Sequence, residues 1–75
     1  MNNSRRKTLK VIVSTLEKAK SDVESVLNDE QDALDNLPDG LQGSERADEM
    51  SEAVEELANA VDYIDDAIES INNAI

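Results

Sequence analysis

A chain of 75 residues with 18 acids, seven bases, one aromatic (Tyr63), no Cys and no His cannot build the disulfide, zinc or aromatic-rich core that small compact domains lean on. Burial must come from Leu, Ile, Val, Met and Ala on long helices, which a lone hairpin covers only in part, so homo-oligomers are the expected remedy. The formal net charge of −11 argues against nucleic acid as a direct ligand and against an anionic membrane, and it leaves room for a basic protein partner.

The first 20 residues run against that balance, with six bases and one acid for a net of +5. Arg5, Arg6 and Lys7 open the predicted first helix, over about residues 5–36, where positive charge opposes the helix dipole. Such a conflict points either to contact with acidic segments of this chain or a neighbouring subunit, or to an anion-binding end. The longest apolar run, Val11-Ile12-Val13, is too short for a signal segment or a membrane span, so a cytoplasmic protein is expected. Leu9, Leu16, Val23 and Glu30 share one helical column, with Leu37 at its end. Ile12, Ala19, Val26 and Ala33 flank it on one side, and Val13, Lys20, Leu27 and Leu34 on the other. A face this broad suits a bundle better than a two-stranded zipper.

Pro38 is expected to stop the first helix at Leu37, because the residue before proline disfavours the α conformation. Pro38-Asp39-Gly40 reads as a tight turn within a connection over 37–43, with Gly40 available for a positive φ and Leu41 tucked back on the hairpin end. Ser44 is the predicted N-cap of a second helix over about 44–75, and Glu45, Asp48 and Glu49 suit its positive dipole end.

The second helix carries an unbroken heptad pattern. Ala47, Met50, Val54, Leu57, Val61, Ile64, Ile68, Ile71 and Ile75 alternate in steps of three and four, which draws one stripe along a helix. Ala53, Ala60, Ala67 and Ala74 form a second column that widens the face and lets another helix approach closely. With Leu9, Ile12, Leu16 and Val23, the stripe residues from Met50 to Ile75 are the expected oligomer interface. Asp48, Glu55, Asp62 and Glu69 recur every seven residues as an acidic stripe, which reads either as a solvated face or as a surface that imitates phosphate spacing in a basic groove. Tyr63 is expected to cover the edge of the helix interface.

The short connection makes the two helices antiparallel, so the fold class is all-α: a single-domain helical hairpin, expected to assemble as a dimeric four-helix bundle. Reflection about the turn sets Lys18 and Lys20 against Val61, Asp62 and Asp65, and Lys10 against Glu69. It also brings Glu30 within a turn of Arg46, which predicts a partly buried structural ion pair that fixes register.

Nothing in the chain supports catalysis. There is no nucleophile beside a base, no His and no Gly-rich phosphate loop. The carboxylates Asp62, Asp65, Asp66 and Glu69 lack the loop pattern of a calcium site, so neither metal nor cofactor is expected.

The run Leu37-Pro38-Asp39-Gly40-Leu41-Gln42-Gly43-Ser44-Glu45-Arg46, followed by the Ala/Ile heptads, resembles small acidic helical-hairpin proteins of uncharacterised role from phage-like mobile elements in Gram-positive bacteria. The resemblance covers about a third of the chain. It implies a setting in which small acidic proteins inhibit a host enzyme or defence complex by occupying a basic surface. Three functional classes follow: a protein-interaction module or inhibitor acting through Asp48, Glu55, Asp62 and Glu69; a structural scaffold; and a binder of a small anion such as a nucleotide signal at a subunit interface near Arg5, Arg6 and Lys7.

Overall fold

The computed structural model describes residues 1–75 and contains two long helices joined by a short connection. α1 spans Asn3–Asp35, a single 3₁₀ turn spans Asp39–Leu41, and α2 spans Glu45–Ala74. Neither helix holds an internal Gly or Pro, so each extends without a kink. The result is a rod of 59 × 14 × 11 Å with a radius of gyration of 17.3 Å. A compact domain of this length has a radius of gyration near 11 Å. No helix is long and apolar enough to cross a membrane.

The ends of the helices follow from local hydrogen bonding. α1 begins two residues earlier than the expected start near residue 5, because the Asn2 side chain accepts from the Arg5 N–H at 2.8 Å and caps the first turn. It ends two residues before Leu37. There the Asn36 amide side chain donates to the Asp32 carbonyl at 2.8 Å, and the Leu37 N–H turns inward to Leu34 at 3.2 Å. A side chain that competes for a helical carbonyl in this way closes a helix ahead of the proline. Gln42 then reaches back and donates to the Leu37 and Leu34 carbonyls at 2.8 and 3.3 Å, capping the end of α1 from across the loop.

Ser44 caps α2 as its position suggested. Its Oγ accepts from the Ala47 N–H at 3.3 Å and donates to the Leu41 carbonyl at 2.6 Å. The connection needs no left-handed residue, and no glycine has a positive φ. Leu41 does not tuck back on the hairpin end; its side chain is exposed, because the 3₁₀ turn directs its carbonyl to Ser44 and leaves the side chain outward.

The seam between the helices uses the predicted columns. Leu9, Leu16, Val23, Leu27 and Leu34 of α1 and Leu37 just beyond it are half-buried, as are Met50, Val54, Leu57, Val61, Ile64, Ile68 and Ile71 of α2 and Ile75 just beyond it. Only Val13 (8% exposed) and Ala47 (3% exposed) are fully buried. Two helices give each side chain cover on one side alone, so the apolar stripes remain partly wet along the whole rod.

Candidate interaction surfaces

The two grooves along the hairpin seam are chemically different. One is lined by Lys20, Glu24, Leu27 and Asn28 of α1 and by Ala58, Val61, Asp62 and Asp65 of α2. An ion pair crosses it: Lys20 Nζ lies 2.7 Å from Asp65 Oδ1 and 3.8 Å from Glu24 Oε1. The hydrogen bond that Lys20 donates to the Asp65 carboxylate holds the Lys20 pKa above its ordinary value; partial desolvation opposes it, and the charges of Asp65, Glu24 and Glu17 add to it. Lys18 lies on the outer side of α1, so it pairs within its own helix with Asp22 at 2.9 Å and does not reach α2.

The opposite groove has no such strap. At its loop end it is lined by Glu30 and Ala33 of α1 and by Arg46, Glu49 and Met50 of α2. At its open end Met1, Ser4, Arg5, Thr8 and Leu9 form a second depression. Steps of seven residues back from Ala33 pass through Val26, Ala19, Ile12 and Arg5. Steps of seven on from Arg46 pass through Ala53, Ala60, Ala67 and Ala74. These two columns therefore border the same groove. Ile12 is 41% exposed and Val26 56%. Of the residues expected at an oligomer interface, Ile12 alone stays on this open face, while the others are engaged in the seam of their own hairpin.

Several expected contacts do not form. Glu30 and Arg46 line one depression, yet no ion pair joins them; all three salt bridges of the chain involve lysines. Arg46 belongs to the first turn of α2, one turn nearer the loop than Met50, and its side chain stays exposed. Fixing so long a side chain in water costs rotamer entropy that a half-solvated pair does not return. Lys10 likewise makes no ion pair with Glu69. Arg5, Arg6 and Lys7 are exposed and touch no acid of their own chain. Being consecutive, they point about 100° apart around the helix and do not converge on one anion. Arg6 is further drawn to the Asn3 side chain, at 3.4 Å. Tyr63 is 71% exposed and covers no edge within the hairpin; it flanks the alanine column of the open groove.

Asp48, Glu55, Asp62 and Glu69 are all exposed and take part in no salt bridge. Asp62 lines the strapped groove, so the stripe runs along that side of the rod, away from Ile12 and Val26. Seven-residue steps repeat its carboxylates at about 10 Å. No three carboxylates gather closely enough to hold a metal ion. The molecule thus carries the acidic stripe on one side of the rod and, on the other, an open groove that bears the exposed Ile12 and Val26 and has charged residues at its loop end. The strapped groove had a sequence signal, a lysine inside an otherwise apolar column, whereas the identity of the open side depends on handedness and register. No protein-family model, curated protein or solved structure matches this chain.

Proposed function

We propose that this protein is a non-enzymatic protein-interaction module: a helical rod that completes its own core by self-association and presents the acidic stripe to a basic partner protein. The observation that carries this reading is the separation of the two faces. Asp48, Glu55, Asp62 and Glu69 are exposed and unpaired by any base of their own chain, so none of their charge is already spent. They sit away from the apolar groove, so one face can associate while the other engages a partner. Carboxylates on a rigid helix meet Lys and Arg much as phosphates do, which suits occupation of a groove built for a polyanion. The resemblance of residues 37–46 to proteins of phage-like elements is consistent with an inhibitor of a host or defence protein.

The test is partner capture from a host lysate at low and high salt, with wild type beside a variant in which Asp48, Glu55, Asp62 and Glu69 become Lys. A partner held at low salt, released at high salt and lost with the variant supports the module. Retention of the same partner by the variant sinks it. The scaffold reading draws on the apolar groove alone and corresponds to a protein that associates with itself and captures nothing.

A further inference from the structure

The rod as a whole has surface to hide, and Ile12 and Val26 on the open groove are its exposed apolar part along the seam. A folded monomer of 8.2 kDa exposes about 4,500 Å². This chain exposes 5398 Å², an excess of roughly 900 Å². Two such excesses make about 1,800 Å², the size of a standard stable interface.

The charges beside the groove decide how a second copy sits on it. Its flanks are acidic in the loop half, where Asp22 and Asp29 on α1 and Glu49 and Glu56 on α2 are exposed and outnumber the one base there, Arg46. In the open half they are Thr8, Thr15, Tyr63 and Ser70, all uncharged, with Arg5 at the end of the α1 column. Two hairpins can meet face to face in two symmetric ways. With the rods parallel, α1 lies over the partner's α2, and Asp29 sets against the partner's Glu49 and Glu56. With the rods reversed, α1 lies over the partner's α1, and Asp29 comes to the partner's Thr8 and Arg5. Like charges brought together across an interface are costly, so the pattern selects the reversed arrangement.

Packing agrees with the charges. The α1 column from Arg5 to Ala33 has Ala19 at its middle, and the α2 column from Arg46 to Ala74 has Ala60 at its middle. Reversal about those centres places Ile12 of each chain beside the partner's Val26, and it sets Ala19 and Ala60 against their own copies. The small residues then lie where two helices approach most closely.

We infer that two copies of this chain pack groove to groove with their rods reversed, about a two-fold axis near Ala19 and Ala60, forming a four-helix bundle in which Arg5 of each chain reaches the acidic loop half of the other. This rests on the self-association in the proposed function and adds its occupant, face and orientation.

The chain has no cysteine, which makes cross-linking a clean test. Ala19→Cys and Ala60→Cys are prepared singly, oxidised mildly alone and as a mixture, and followed by light scattering. Each single variant is expected to give a disulfide-linked dimer by itself. Linkage confined to the Ala19→Cys with Ala60→Cys mixture would show the parallel arrangement and overturn the inference while keeping self-association. A dimer that cross-links in neither case places the interface on another face and overturns it as well. A monomer at every concentration overturns both.

Discussion

Glu30 occupies a half-buried position in the central apolar column of α1 and has neither an ion-pair nor a hydrogen-bond partner in its own chain. Replacing it by Leu removes a charge from the apolar column and extends the stripe of Leu9, Leu16 and Val23 without interruption. Full burial of a leucine side chain contributes about 1.5–3 kcal/mol, so a half-buried one gives about 1 kcal/mol. For a chain of this size that corresponds to a rise in Tm of about 4–8 °C. The loss of one charge from a net of −11 works in the same direction. Circular dichroism melts of wild type and Glu30→Leu, at one protein concentration and ionic strength, read the change directly. A fall in Tm would mean that Glu30 holds a stabilising partner, and it would refute the reading of this position as an unpaired acid in an apolar seam.

Ser44→Ala removes both the cap on the Ala47 N–H and the bond to the Leu41 carbonyl. It should cost about 1 kcal/mol in a urea titration, with m unchanged. Gln42→Ala uncaps the Leu37 and Leu34 carbonyls and should cost about 0.5–1 kcal/mol in the same assay. Lys20 gains its raised pKa from the folded state, so its contribution is complete below the ordinary lysine pKa and is lost as pH rises through the raised one. Melts of wild type should therefore weaken only above about pH 10, and the Lys20→Met variant should lack that component of the decline. An equal decline in both proteins would remove the Lys20–Asp65 pair from the explanation.

The architecture was written in the heptads. Steps of three and four from Ala47 to Ile75 leave one reading, a long amphipathic helix, and Ser44 marks its start because its hydroxyl can cap an N–H three residues on. The proline at 38 located the break but not the last helical residue, since Asn36 and Gln42 compete for the carbonyls before it. Which apolar columns are covered and which stay open was not legible. Ile12 and Val13 are neighbours in sequence, yet one is exposed and the other buried, and the difference is a rotation of about 100° about the helix axis. The Glu30–Arg46 pair failed for a related reason. Reflection about a turn sets the level of two residues along the rod, while the reach and solvation of their side chains decide whether they meet.

The central claim is that the hairpin completes its core with a second copy through the face bearing Ile12 and Val26. The direct measurement is light scattering across a hundredfold range of concentration, paired with melts, for wild type and for Ile12→Asp/Val26→Asp. Wild type should show twice the 8.2 kDa chain mass and a Tm that climbs with concentration, and the variant should be a helical monomer with a lower, concentration-independent Tm. A monomeric wild type with a concentration-independent Tm, or a variant that dimerises as well as wild type, would contradict it.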